Sequence, residues 1–282
     1  MKIVGGLGVP HTPHFPALVA QGDPLGREVD RLFTEVRCHL RELRPDLLLL
    51  FTSDHYNIFF VESIPIFSIG VAEEAAGPSD YPDLPRYDVR IDSELARRLQ
   101  AELVAAGFDV GMSQEFELDH PVTVPLGLLC PEKDIPVVPV FINGLIPPLP
   151  AASRCFQLGK AVRAVLEREN GGGRVAAVAS GSFSLEIGGP RISETSHTGV
   201  PDPEWMSHVL RRLGKGEVPE LVEDATSEQL TRAGNAGGEL LDWIAMLGVI
   251  DAGPPVMLES QEAMGHSYGV WRSGDANGRA GQ

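Results

Sequence analysis

Lys2-Ile3-Val4-Gly5-Gly6-Leu7-Gly8-Val9 and, further on, Asp46-Leu47-Leu48-Leu49-Leu50-Phe51-Thr52 are short apolar stretches bounded by polar or turn residues. Each reads as a buried β-strand. Between them Pro24–Leu43 carries apolar residues at helical spacing, so the chain opens strand, helix, strand, the order of a sheet with helices packed on its faces. Further strands are predicted at 64–69, 137–142, 174–179 and 255–258. Helices are predicted at 92–106, where Asp92 and Ser93 offer capping oxygens, at 153–168, stopped by Asn170-Gly171-Gly172-Gly173, at 204–213 and at 238–247. The fold class is therefore α/β: one domain over residues 1–272, a central mixed sheet flanked by helices, with long loops around the site. Residues 75–86, 147–149 and 188–203 read as irregular, and the polar, Gly-rich stretch 273–282 as a frayed tail.

Composition bounds the function. A chain of 282 residues can bury a sizeable core in one domain, and 43% hydrophobic with 22% charged residues is the balance of a folded globular protein. With 39 acidic against 23 basic side chains the net charge is −16, which repels nucleic-acid phosphates and anionic membranes. No apolar run approaches the roughly 20 residues that cross a bilayer. The amino terminus enters its first strand at once, without a basic segment and long apolar core, and Cys38, Cys130 and Cys155 are odd in number and widely spaced. Both features lead to the expectation of a cytoplasmic protein with reduced thiols.

Three histidines, His11, His55 and His120, directly follow apolar segments expected to be strands. Strand ends in an α/β sheet converge on the crevice where ligands bind. Taken singly, each is more often a structural histidine bonded to backbone. Two histidines and a carboxylate form the facial triad that holds ferrous iron, and Glu239, which follows Gly234-Asn235-Ala236-Gly237-Gly238, is a candidate carboxylate because glycine backbone permits close approach. A helix-start glutamate favoured by the macrodipole is the alternative. His14, three residues beyond His11, is a rival ligand. Spacing alone goes no further.

Val9-Pro10-His11-Thr12-Pro13, Ser53-Asp54-His55-Tyr56-Asn57, Leu118-Asp119-His120-Pro121-Val122-Thr123-Val124-Pro125-Leu126 and Gly237-Gly238-Glu239-Leu240-Leu241-Asp242-Trp243 together resemble the class III extradiol ring-cleavage dioxygenases, most closely their catalytic β-subunit branch. The parts stand in the family's order over most of the chain. The resemblance implies Fe(II) held by His11, His55 and Glu239, with His120 beside oxygen or substrate. It also implies a small aromatic diol and O2 as partners, and a homo-oligomer, a dimer being the simplest. One departure stands out: where the family keeps a base histidine in a Gly-Gly-Leu-Ser-His type turn, this chain reads Ser180-Gly181-Ser182-Phe183-Ser184-Leu185. Leu185 cannot titrate, and general acid–base assistance is typically worth about a hundred- to ten-thousandfold. His197 could supply the lost imidazole, His120 could serve alone, or the substrate could need less proton transfer. Tyr56, Asn57 and Leu185 are further candidates to line the pocket, and Arg191 to pair with a substrate carboxylate. A non-catalytic partner subunit, or an enzyme of altered chemistry such as a metal-dependent hydrolase, is the alternative that the leucine raises.

Overall fold

In the computed structural model, which describes residues 1–169, 171–189, 191, 198–251 and 253–273, the two opening stretches are strands β1 (Lys2–Val9) and β2 (Leu47–Thr52), joined through helices α1 (Phe15–Gln21) and α2 (Pro24–Leu43). The chain continues through β3 (Phe67–Gly70), β4 (Glu74–Gly77), β5 (Tyr87–Arg90), α3 (Ser93–Ala105), β6 (Val110–Ser113), α4 (His120–Leu129), β7 (Val137–Ile142), α5 (Ala152–Arg168) and β8 (Arg174–Ser180). Short strands β9 (Glu186–Ile187) and β10 (Thr198–Gly199) precede helices α6 (Pro203–Lys215), α7 (Val218–Asp224), α8 (Ser227–Arg232) and α9 (Leu240–Ile250). Strands β11 (Met257–Gln261) and β12 (His266–Arg272) close the described chain.

Eight strands form one mixed sheet in the order β11-β12-β1-β8-β2-β7-β3-β6. Its centre, β1-β8-β2-β7, is parallel, while β12 runs antiparallel to β1, and β3 antiparallel to β7. Central parallel strands are covered on both faces, which is why β2 reads as an unbroken apolar run rather than an alternation. Leu47, Leu49 and Phe51 enter the core shared with α3, α5 and α9, while Leu48 and Leu50 enter the opposite core with α2 and α4. Side chains alternate across a strand, so one run of five residues anchors both layers.

Helix ends obey local chemistry. The carboxylates of Asp23, Asp92 and Asp202 accept the backbone N–H of Gly26, Leu95 and Trp205 at 2.7, 3.0 and 2.9 Å, each satisfying a donor that the first turn leaves unpaired. In the core, Trp243 of α9 lies flat against β1, where a Cβ on Gly8 would come within 2.2 Å of the indole. Its Nε1–H donates to the Gly181 carbonyl at 3.3 Å.

Several sequence expectations shift. The strand expected at 64–69 runs Phe67–Gly70, and the one at 255–258 runs Met257–Gln261. Residues 75–86 are not wholly irregular, since β4 pairs with β5 in a small hairpin. The helix expected at 204–213 extends over Pro203–Lys215, because Asp202 caps it and Gly216, at φ +71°, ends it. That at 238–247 divides into a 3-10 turn, Gly237–Glu239, and α9. Strands β6 and β12 and helices α1, α7 and α8 carry no strong pattern and were not foreseen. Residues 274–282 of the expected tail lie outside the described residues, and no helix among the described residues is long and apolar enough to cross a membrane.

Candidate active site

Parallel register aligns the carboxyl ends of the central strands: Val9 faces Ser180, and Phe51 faces Ala179. The chain leaves β1 to reach His11, leaves β2 to reach His55, and leaves β8 to reach Ser182, so all three emerge on one edge of the sheet, where open α/β folds bind ligands. The turn holding His55 is fixed by the Asp54 carboxylate, which accepts N–H bonds from Asn57, Ile58 and Phe59 at 3.2, 2.9 and 2.9 Å, while Tyr56 takes a left-handed φ of +62°. His120 does not follow a strand, as the sequence reading expected. It opens α4, with Asp119 at the cap.

These histidines meet. Ring centroids lie 5.1 Å apart for His11 and His55, 5.5 Å for His11 and His120, and 4.8 Å for His55 and His120. One ring nitrogen from each falls within 4.8 Å of the other two. Glu239, fully buried, points Oε1 at the Nε2 atoms of His11 and His55, at 3.2 and 3.1 Å, and its Oε2 accepts the Ser182 N–H at 2.8 Å. Close backbone approach makes this possible: a Cβ on Gly181 would lie 2.6 Å from the Glu239 Cβ, and one on Gly238 would lie 2.1 Å from the Gly144 carbonyl oxygen.

Hydrogen bonds fix which nitrogens carry protons. The Ser180 hydroxyl donates to the Pro121 carbonyl at 2.8 Å, so its bond with His11 Nδ1, also 2.8 Å, is donated by the imidazole. His120 Nδ1 donates to the Asp80 carboxylate, which also accepts the His120 backbone N–H at 3.1 Å. In the neutral form of either ring Nε2 is then a bare lone pair. For His11 that lone pair confronts a buried carboxylate oxygen, an arrangement that calls for a cation between them. Two imidazoles and one carboxylate are the donor types of a mononuclear divalent-metal site, and their partners on the outer side are those that orient metal-binding histidines.

Burial pushes the Glu239 carboxyl up, but the neighbouring His11 and His55 reverse this and leave it well below the usual carboxylate range. Asp242 is raised well above that range, by burial first, with the charge of Glu239 adding and the Ser53 hydroxyl, which donates to it at 2.9 Å, opposing. Asp119, whose Oδ2 accepts the His55 N–H at 2.8 Å, is raised to about 7 by burial. His120 is pushed down to about 4, chiefly by burial and further by His55 and His11, with the Asp80 bond opposing. It is therefore a neutral imidazole at physiological pH, a proton acceptor rather than a donor in its resting form.

Two cavities flank the cluster. The larger, of about 490 Å³, reaches from His11, His55 and His120 past Leu185 to Val200 and His266. A second, of about 410 Å³, shares His55 and His120 and is lined also by Tyr56, Asp80 and Asn235. Leu185 lines the larger cavity and Tyr56 the second. Asn57 and Arg191 do not reach these cavities: Asn57 bonds the Glu117 carbonyl and the Ser79 hydroxyl, and the Arg191 guanidinium is spent on Glu186 and the carbonyls of Thr231 and Arg232. Their side chains are drawn off by nearer hydrogen-bond partners. His14 is exposed at the rim of the larger cavity, beside Tyr81 and apart from the cluster. His197 lies outside the described residues. Sequence reading missed Asp80, Ser180 and His266, the last bonded through Nε2 to the Thr12 hydroxyl at 2.8 Å and through Nδ1 to the Gln261 side-chain Oε1 at 3.2 Å. Only Ser180, at the end of a foreseen strand, left a usable signal.

This geometry accords with the comparisons. Residues 5–271 match the family described as the catalytic LigB subunit of aromatic ring-opening dioxygenase. The chain belongs to that family, and its enzyme class is the extradiol-type ring-cleavage dioxygenase. A 2,3-dihydroxyphenylpropionate/2,3-dihydroxicinnamic acid 1,2-dioxygenase of Klebsiella pneumoniae subsp. pneumoniae is 29% identical, with 93% of this chain and 90% of that protein covered. One of the same description from Paraburkholderia xenovorans is 30% identical, with 81% and 83% covered. In fold, an uncharacterized protein from Escherichia coli K12, known from a crystal structure, superposes with a TM-score of 0.57 at 17% identity, covering 96% of this chain and 100% of that one.

Proposed function

We propose that this chain is a ferrous-iron dioxygenase that opens the ring of a catechol next to its diol, with His11, His55 and Glu239 holding the ion and His120 handling protons. The observation that carries the reading is the single Glu239 oxygen set 3.2 and 3.1 Å from two imidazole nitrogens in a fully buried position. Ferrous iron held there would bring diol and O2 together and conduct electrons between them. His11, oriented by Ser180, and Glu239, oriented by the Ser182 N–H, present fixed donors without rearrangement. His120, neutral and backed by Asp80, accepts a hydroxyl proton at Nε2 and returns it later, the carboxylate stabilising the imidazolium in between. His120 rather than a third ligand is the role favoured here, because Glu239 Oε1 pairs with the other two histidines.

Leu185 is read as standing where relatives keep their base, which leaves His120 as the described proton carrier. Tyr56 lines the cavity beside the cluster and fits a substrate-contacting role. The reading extends to a cytoplasmic homo-oligomer, a dimer being the simplest closed assembly, to be checked by light scattering. Anaerobically purified protein should hold a single ferrous ion per chain and lose it in both His55→Ala and Glu239→Ala. Full retention by both variants refutes the ligand assignment, and absence of O2 uptake across a panel of catechols and aminophenols with iron bound refutes the activity.

A further inference from the structure

We infer that the substrate is a catechol bearing an uncharged, apolar substituent rather than a carboxylate-bearing side chain; this rests on the proposed function and narrows it. The larger cavity, about 490 Å³, lies within the roughly 300–1,000 Å³ of small-molecule sites, so a bare dihydroxybenzene leaves much of it unfilled. Beyond the histidine cluster most of its wall is made by Pro13, Leu18, Leu185, Ile187, Val200 and Met264, with His14 at the rim and the uncharged hydroxyls of Thr12, Tyr81, Ser182 and Thr198 between them. That is a surface for hydrocarbon.

No lysine or arginine lines either cavity among the described residues. Arg232 and Arg191, the basic residues nearest by sequence to the lining, are held, the first by Asp202 and Gln229 and the second by Glu186 and two carbonyls, and residues 192–197 contain no lysine or arginine in their sequence. His266 brings no charge: burial pushes it to about 4, and both ring nitrogens are engaged. The charges that are present are of the wrong sign. Asp80 lines the second cavity, Glu239 lies beneath the cluster, and the chain carries a net charge of −16. A carboxylate carried into this space would lose its hydration without a partner, a cost that an alkyl or aryl group of the same shape does not meet. The relatives whose descriptions name 2,3-dihydroxyphenylpropionate act on a substrate with such a carboxylate, so this chain departs from them at the substituent and not at the diol.

The test compares two ligands of matched shape, 3-propylcatechol and 2,3-dihydroxyphenylpropionate, by calorimetric titration of the iron-loaded protein under anaerobic conditions at about pH 8, where exposed imidazoles carry little charge. The propyl compound should bind at least about tenfold more tightly. Equal or tighter binding of the acid, or no binding of either ligand, overturns the inference. Ile187→Arg, which sets a cation in the wall at a position 44% exposed, should tighten the acid about tenfold, whereas Ile187→Gln should not. An unchanged acid affinity in Ile187→Arg would overturn the assignment of this wall. O2 uptake is read separately: tight propylcatechol binding without uptake leaves the ligand class standing and removes the catalytic reading.

Discussion

Replacing Asp80 by asparagine probes the proton carrier without touching a proposed ligand. In the wild type the carboxylate accepts the His120 Nδ1–H, and the same side chain accepts the His120 backbone N–H at 3.1 Å, so the imidazole is held with Nε2 free towards the cluster. Asparagine can present its amide N–H to Nδ1, which moves the ring proton to Nε2 and removes the acceptor. Hydrogen bonds to charged groups contribute about 1.5–3 kcal/mol, and each 1.36 kcal/mol is tenfold in rate, so loss of the charge-assisted bond alone lowers kcat by roughly ten- to a hundredfold. The wrong tautomer lowers it further, towards about ten-thousandfold. Burial already depresses His120 to about 4, and without the carboxylate to stabilise its protonated form the imidazole becomes a still weaker base. The assay is initial O2 uptake across pH 5–9 with 3-propylcatechol, accompanied by iron analysis. The expected result is normal iron content, a little-changed KM and the loss of kcat just given. Wild-type kcat with an unshifted pH profile would refute the account of His120 as a base set by Asp80.

Leu185→His should raise kcat by at least about tenfold if the leucine occupies the place of a missing base, within the range that general acid–base help supplies; no gain at any pH from 6 to 9 would remove it from that place. Gly181→Ala drives a methyl to 2.6 Å from the Glu239 Cβ, so iron affinity measured by competition with a chelator should fall by more than tenfold, while Gly171→Ala, with open space around it, should leave it unchanged. Asp202 experiences burial, which raises its pKa, but the Trp205 N–H, Gln229 and Arg232 prevail and hold it below the usual carboxylate value. A folded pKa below the unfolded one gives stability that is complete above the unfolded value of about 3.9 and is lost as pH falls through the folded value. Urea midpoints should therefore drop less between about pH 5 and pH 3 in Asp202→Asn than in wild type.

The central layer was legible because β2 must be apolar on both faces, and the same pressure marks β1, β7 and β8. Edge elements were not. Strand β6 exposes Met112 and spans Val110–Ser113, too short to declare a period, and β12 carries His266 and Ser267, both buried, where an apolar pattern would be expected. At the site, His11 and His55 were readable because strand ends point one way, whereas Asp80 acts from an irregular loop whose proximity to His120 is purely tertiary. His120 was placed in the right crevice by the wrong element: Leu118-Asp119 looked like the end of a strand, yet Pro121 suits the first turn of a helix. Arg191 illustrates the opposite failure, since a lone loop arginine reads as a ligand-binding cation until Glu186 is seen to claim it.

The indole of Trp243 touches the backbone of Gly8, one residue before β1 ends ahead of Pro10 and His11, and donates to the carbonyl of Gly181, against which Glu239 is packed. One chromophore thereby leans on the segments that carry two of the three proposed ligands, sealed from water and packed edge-on against Phe183 and Trp271. Loading and stripping of the proposed centre should therefore change the emission of Trp243 over the background of Trp205 and Trp271, giving a gauge of occupancy in the untouched chain, with no label and no turnover.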